Sequence, residues 1–266
     1  MPAPTAPARP PLLACGYTHA GQKRSSNEDA IGTFVDDRLF VVADGVGGHS
    51  AGDVAATTAV DALAEFFRTF HTDPRQVWPH PIDRSMSLGA NLLRVGIKVA
   101  NDKVRAAAAG DRQRSRMATT IVAMAVGDTQ VAIAHTGDSR AYRIRKGELS
   151  RLTRDHSILE EMLAARPDIS ADEIATFSHR NVVTKCLGSK DEIDPTVSTE
   201  GLEPGDLYLL CSDGLWGTIG DEKIAGIIGS TGDLEAAGQL LVDAANAAGG
   251  PDNISAILVR VDEPSR

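Results

Sequence analysis

Four aspartates stand where strand-forming runs meet turns: Asp44 in Asp44-Gly45-Val46-Gly47-Gly48, Asp138 in Gly137-Asp138-Ser139-Arg140, Asp213 in Ser212-Asp213-Gly214, and Asp252 in Asp252-Asn253. Taken singly, an Asp-Gly pair is most often just a turn. Several uncompensated carboxylates brought together, however, repel one another unless protons or cations intervene, and a metal cluster answers that repulsion. All-oxygen ligation suits Mg²⁺ or Mn²⁺ better than zinc, which recruits Cys or His. Two such ions about 3.5–4 Å apart can clamp a phosphoryl oxygen and lower the pKa of a bridging water toward neutrality, so that hydrolysis needs no protein nucleophile. Spacing alone does not show that the four side chains converge.

Other chemistries fit less well. A cysteine-dependent phosphatase needs Arg six positions after its thiolate. The residues there are Gly21, Glu192 and Gly217, so Cys15, Cys186 and Cys211 all fail. Gly137-Asp138-Ser139-Arg140-Ala141 approaches the serine-hydrolase elbow but leads into a strand-like run instead of a helix. Gly45-Val46-Gly47-Gly48-His49-Ser50 approximates a dinucleotide loop, yet Asp44 would set a negative charge beside the pyrophosphate.

The elements that must carry these residues follow from periodicity. Residues 39–43, L-F-V-V-A, form an apolar strand that stops at the glycine-built turn. Ser50 or Asp53 can cap a helix to about residue 70, with Val54, Thr58, Leu63, Phe66, Phe67 and Phe70 as its stripe. Three prolines within 72–85 interrupt the pattern, and Leu88, Leu92, Val95 and Val99 mark a second helix over 87–109. Strands at 119–126 and 130–135 flank Gly127-Asp128, and strands at 141–145 and 149–152 flank Lys146-Gly147, which makes two hairpins of an antiparallel sheet. Residues 155–200 are polar and poorly periodic, and read as a flap with a short helix at 156–165. A strand at 207–211, helices at 221–229 and 233–248, and a strand at 255–261 complete the chain. The order predicts an α/β layered sandwich (α-β-β-α), two central antiparallel sheets flanked by helix pairs. Residues 1–11 read as a flexible Pro/Ala-rich tail and 12–262 as a single domain carrying the flap.

Composition narrows the class. Apolar residues at 42% and charged residues at 24% exclude disorder as a whole. A formal charge of -9 argues against a nucleic-acid partner, whose phosphates demand Lys and Arg. Three cysteines without a C-x-x-C pair suggest neither disulfides nor a zinc knuckle, and fit a reducing, cytoplasmic setting. No apolar run approaches the roughly 18 residues of a membrane span. Leu12-Leu13-Ala14-Cys15 resembles a lipoprotein cleavage box but lacks the basic start and apolar stretch that a signal peptide needs.

Gly21-Gln22-Lys23-Arg24-Ser25-Ser26-Asn27-Glu28-Asp29, Asp44-Gly45-Val46-Gly47-Gly48, Thr119-Thr120, Gly137-Asp138-Ser139-Arg140, Ser212-Asp213-Gly214-Leu215-Trp216 and Asp252-Asn253 occur in that order. Together they resemble the successive motifs of the metal-dependent, type-2C protein serine/threonine phosphatases (PPM), in their bacterial branch, over roughly residues 12–262. The resemblance implies hydrolysis of phosphoserine and phosphothreonine in proteins at a binuclear Mn²⁺ or Mg²⁺ centre, opposing a bacterial Ser/Thr kinase. A catalytically inactive phosphoprotein-binding module of the same fold is the alternative. A monomer is expected.

Carried over residue by residue, Asp44 would bridge both ions, the Gly45 carbonyl would ligate one, and Asp213 and Asp252 would hold the other. Glu28 is expected to bind through a metal water, Asp29 to orient that water layer, and Arg24 to pair with the substrate phosphate through its planar fork. Asp138, with Asp213, resembles the ligands of a weaker third site. Asn253 is expected to hydrogen-bond a ligand from behind. Two positions depart from the pattern. Val46 stands where some members carry the His credited with protonating the leaving group, and His49, beyond two glycines, is not expected to replace it. Ala118 stands where Gly is typical, which implies ordinary backbone angles there. His156 and His179 are expected to be structural or substrate-edge residues, and the flap to influence substrate choice.

Overall fold

The computed structural model describes residues 9–47, 51–109, 114, 116–166, 168–170, 173–174, 177, 179 and 182–263. The expected Ser50 cap, His49 and most of the 1–11 tail lie outside them.

Eleven strands and five helices occur among the described residues. One sheet runs β1-β11-β10-β7-β8, from β1 (Leu12–His19), β11 (Ile254–Val261), β10 (Leu207–Cys211), β7 (Arg140–Arg145) and β8 (Glu148–Arg151). The other runs β2-β3-β5-β6-β9, from β2 (Asp29–Phe34), β3 (Leu39–Val46), β5 (Ile121–Val126), β6 (Gln130–Thr136) and β9 (Thr196–Gly201). Every pairing is antiparallel, and β4 (Ala118–Thr119) pairs with the end of β3. This is the layered sandwich that the element order predicts.

Alternation along each strand builds the layers. Phe40, Val42, Val122, Met124, Val131 and Ile133 point toward the first sheet, where Tyr208, Leu210, Ile257 and Val259 meet them. The intervening Leu39, Val41, Ala43, Ala123 and Ala134 face α1 (Ala51–Thr72) and α2 (Leu88–Ala108). On the outer face of the first sheet, Leu209, Cys211, Ala256 and Leu258 pack under α4 (Asp213–Ser230) and α5 (Leu234–Ala247). Both faces of the central strands are covered, which is why 39–43 reads as unbroken apolar sequence. Lys146 and Gly147 both take positive φ, 54° and 83°, as the tight turn between β7 and β8 requires.

Four features differ from the periodicity. Periodicity does not announce the strands β1 and β2: β1 is a half-buried edge strand with Gly16 and polar residues, and β2 contains Gly32 and Thr33. The strand β9 lies inside the region expected to be flap. As an edge strand of sequence TVSTEG with no fully buried residue, it carries no hydrophobic signal. The helix α4 begins at Asp213, not at 221, because two helical pieces join at a kink where Gly220 has φ 74° and ψ 163°. Its buried Leu215, Ile224 and Ile228 straddle that kink, so no continuous stripe announces its start. In the flap, α3 (Ile158–Ala165) starts two residues later than expected, capped by the Ser157 hydroxyl. No helix among the described residues is long and apolar enough to cross a membrane.

Candidate metal centre

Asp29 and Asp44 are direct partners in the β2–β3 register. The main chain of Asp44 is fixed by the Thr119-Thr120 pair: its carbonyl accepts from Thr120 N–H at 2.8 Å and Thr119 Oγ1 at 2.9 Å, and its N–H donates to Thr120 Oγ1 at 3.2 Å. The motif threonines therefore fix the main chain of an acidic residue. One residue on, Gly45 donates to the Glu28 carbonyl at 3.2 Å. A Cβ on Gly45 would stand 2.2 Å from the Gly52 carbonyl, and a Cβ on Gly52 would stand 2.3 Å from Glu28 Oε2. Only a glycine pair lets the start of α1, the Asp44 strand and Glu28 approach so closely.

Asp213 comes from the other sheet, as the first residue of α4. Ser212 precedes it at the N-cap position but makes no cap bond. Its hydroxyl instead donates to Asp29 Oδ2 at 2.7 Å, and the Ser255 hydroxyl donates to the same oxygen at 2.7 Å. With its proton committed, Ser255 accepts from Thr18 Oγ1 at 2.8 Å, and Thr18 in turn accepts from Asn27 Nδ2 at 2.8 Å. Asp29 is thus locked between the two sheets.

Asn253 organises the last corner. Its Oδ1 accepts Glu28 N–H at 2.8 Å, its Nδ2 donates to the Ala20 and Ser26 carbonyls at 2.9 and 2.8 Å, and its own N–H donates to Asp252 Oδ1 at 2.8 Å. The loop bearing Arg24 and Glu28 is pinned beside Asp252 in this way, and Arg24 Nη2 donates to Asp252 Oδ2 at 2.8 Å. Arg24 meets a carboxylate here, with just over half of its side chain exposed.

Arg24, Glu28, Asp44, Asp138, Asp213 and Asp252 all line one cleft of about 480 Å³. Val46, Val183 and Cys186 supply its apolar wall. Burial first, then Asp29, Asp213, Asp138 and Asp252, push Asp44 well above the usual carboxylate range. Burial, against the two serine hydroxyls and with Asp213 and Asp252 nearby, raises Asp29 to about 6. Asp138 rises to about 7, from burial and then Asp213 and Asp155. Asp213 is raised by burial and Asp252, despite a hydrogen bond with Asp44 and the Arg24 charge. Asp29 Oδ1 and Asp213 Oδ1 are buried without a hydrogen-bond partner. Such a cluster either keeps protons or takes up cations.

A hard divalent cation fits that donor set. Among the described residues, no three His, Cys, Asp or Glu side chains close around a single point as a protein-only cage. Mg²⁺ and Mn²⁺ do not require one: Mg²⁺ keeps several waters and takes one or two carboxylates, and Mn²⁺ favours the same carboxylate, carbonyl and water donors. Carboxylates and a main-chain carbonyl lining one cleft match this habit.

The protein phosphatase 2C family model matches residues 15–242. This chain belongs to the protein phosphatase 2C family. It is accordingly a protein serine/threonine phosphatase. The chain is 34% identical over 249 residues to the protein phosphatase PhpP of Streptococcus pneumoniae, covering 92% of this chain and 96% of that one. The structure of the serine/threonine phosphatase Stp1 from Staphylococcus aureus superposes with a TM-score of 0.83 at 30% identity, covering 99% of this chain and all of that one. The catalytic domain of the phosphatase PstP, solved in complex with two manganese ions, superposes with a TM-score of 0.78 at 28% identity, over 95% of this chain and 99% of that one.

Of the acids singled out in the sequence, Glu28, Asp44, Asp138, Asp213 and Asp252 line the cleft, whereas Asp29 lies behind it on its two serine hydroxyls. Ser212 stands inside a motif, while Ser255 is a polar residue in an apolar run and Thr18 and Gly52 carry no local signal. Asp138 has a further support of this kind: its carbonyl accepts from Trp216 Nε1 at 3.0 Å. The Arg140 guanidinium, chelating Asp155 at 3.0 and 2.7 Å, lies 3.3 Å over the Trp216 ring.

Proposed function

We propose that this phosphatase hydrolyses phosphoserine and phosphothreonine in cytoplasmic proteins at a binuclear Mn²⁺ or Mg²⁺ centre, as a monomer opposing a Ser/Thr kinase. The observation that carries the reading is the convergence of Asp44, Asp138, Asp213 and Asp252, from separate elements of both sheets, on one cleft. Asp44, the Gly45 carbonyl, Asp213 and Asp252 would hold the main pair of ions, and Asp138 with Asp213 a weaker third. Bound there, such ions supply an acidified water as nucleophile and positive charge at the phosphoryl oxygens.

The chain's own groups have separate tasks. Glu28, on the cleft lining and fixed through its main chain by Asn253, would bind through a metal water, and Asp29, held behind the lining by two serine hydroxyls, would orient that water layer. Arg24 is exposed enough to swing from Asp252 to a substrate phosphate, where its fork can make two hydrogen bonds. Val46 is half exposed on the cleft wall and has no proton to give, so the leaving group's proton does not come from this position. A second cleft of about 470 Å³ shares Asp138, Asp213 and Asp252 and extends to Leu159 and Trp216, leaving room for polypeptide beside the phosphoresidue. Residues 12–262 would form the catalytic unit, with the flap helix α3 on that second cleft.

The test is Mn²⁺-dependent turnover of p-nitrophenyl phosphate and of a phosphothreonine peptide. Asp44→Asn and Asp252→Asn should each abolish turnover while retaining the wild-type circular dichroism spectrum. Sustained turnover by folded Asp44→Asn protein rejects the assignment. Phosphoprotein comparison in cells with and without the active enzyme identifies the kinase targets.

A further inference from the structure

His156 encloses Gly137, the residue before Asp138. Its main-chain N–H donates to the Gly137 carbonyl at 2.9 Å, and its ring Nδ1 accepts the Gly137 N–H at 3.1 Å. One residue therefore satisfies both backbone groups of the turn that presents Asp138. The turn itself has no slack: Gly137 sits at φ 108°, and a Cβ there would stand 2.5 Å from Thr120. With Nδ1 accepting, the ring proton is on Nε2, which donates to Thr196 Oγ1 at 2.9 Å. Burial, then His135 and Lys185, lower the His156 pKa to about 4, so the ring is neutral and its lone pair free to accept. The imidazole is clamped by stacking on His135, with centroids 4.7 Å apart and planes 8° from parallel. His135 is itself held by donating Nε2 to the Arg154 carbonyl at 2.7 Å.

The same residue reaches the cleft wall. Its carbonyl accepts Thr184 N–H at 2.8 Å, Ile158 N–H donates to the Val182 carbonyl at 3.0 Å, and Ser157 bridges Val183. Val183 lines the cleft that contains Asp138. The turn before Asp138, the start of the flap, the flap's returning segment and β9 thus meet at one imidazole.

We propose that His156 is a positioning residue: through Gly137 it holds the Asp138 carboxyl toward the cation site shared with Asp213, in register with the flap segment at Val183. The inference rests on the reading of Asp138 as a cation ligand. Two substitutions separate its two side-chain bonds. In His156→Asn, Oδ1 can still accept the Gly137 N–H but the side chain no longer reaches Thr196; in His156→Gln, the longer amide can reach Thr196 but leaves Gly137 N–H without its acceptor.

The experiment is calorimetric titration of the full chain with Mn²⁺ alone, accompanied by kcat and KM for p-nitrophenyl phosphate at increasing Mn²⁺. Asp138→Ala should lose the weakest Mn²⁺ binding step. His156→Ala and His156→Gln should weaken that same step about tenfold, the usual size for a residue supporting a ligand. They should lower kcat at limiting Mn²⁺ while KM stays within about twofold, as expected when substrate binding is untouched. His156→Asn should recover most of both. Wild-type Mn²⁺ binding in His156→Gln, beside a defective Asp138→Ala, overturns the inference and leaves Asp138 as a ligand. Equal defects in the Asn and Gln proteins also overturn it, because the effect would then not follow the Gly137 bond. Wild-type binding in Asp138→Ala removes the underlying reading itself. If His156→Ala does not fold, the Asn and Gln pair decides.

Discussion

A single methyl group added to α4 should disable this phosphatase without touching any acidic side chain. Gly214 follows Asp213, and an ideal Cβ built on it stands 1.9 Å from the Asn253 carbonyl oxygen. Cβ atoms are not found closer than 3.0 Å, so Gly214→Ala must drive the start of α4 and the 252–253 loop apart by at least about 1.1 Å. Those two segments carry Asp213 and Asp252, the expected ligands of one ion. Neither neighbour is a flexible side chain that could fold away, since both are main chain. A displacement of about 1 Å in a catalytic constellation can cost on the order of 100-fold in rate. The control lies three residues along the same helix: a Cβ on Gly217 meets nothing within 4 Å. Gly217→Ala should leave turnover unchanged and, in a helix, raise stability by up to about 1 kcal/mol. Turnover of p-nitrophenyl phosphate over a Mn²⁺ titration, with thermal melts of both proteins, reads the comparison. If Gly214→Ala matches wild type in kcat and in half-saturating Mn²⁺, the close approach of α4 to the 252–253 loop does not set the site.

The other expectations are as direct. Arg24→Ala should raise KM for phosphopeptide more than it lowers kcat, because a phosphate clamp outside the reacting bonds contributes mainly uniform binding; an unchanged KM rejects the role. In metal-free protein, Asp138 keeps its proton to about pH 7 while the unfolded chain releases it near the ordinary carboxylate value of 3.8. The folded state then holds the extra proton, so this residue's contribution to stability is lost as pH rises between those values. Asp138→Asn should therefore stabilise the metal-free protein at pH 8, by on the order of 3 kcal/mol, and far less at pH 5; an equal shift in melting temperature at both pH values refutes the buried-charge cause. Replacing Ser212 and Ser255 together by Ala deprives Asp29 Oδ2 of both donors. Unfolding in denaturant should show a loss of about 2–4 kcal/mol, and a loss below about 0.5 kcal/mol would mean that water replaces them.

The flap shows where periodicity stops informing. Residues 155–200 bury few apolar groups, so their order comes from polar ties instead. Asn101 on α2 donates to the Lys190 carbonyl and accepts Gly188 N–H, Leu187 exchanges main-chain bonds with Thr119, and Arg94 and Lys98 pair with Asp194. None of these has a repeat in sequence, and each joins residues about 70 to 100 positions apart. The strand β9 is silent in the sequence for the same reason, and β1 because an edge strand needs to bury only part of one face.

What the sequence determined by itself was the inventory: the acids at strand and helix ends, the glycines beside them, the central apolar strands and the two flanking helix pairs. Local chemistry suffices for these, since alternation, capping and turn preference act within a few residues. The tertiary structure alone decided that acids from both sheets share one cleft, that Ser212 and Ser255 secure Asp29 from behind, and that Arg24 rests on Asp252. Those facts depend on how two twisted sheets stack and on backbone approaches that only Gly45, Gly52 and Gly214 permit, and no spacing along one chain encodes such a distance.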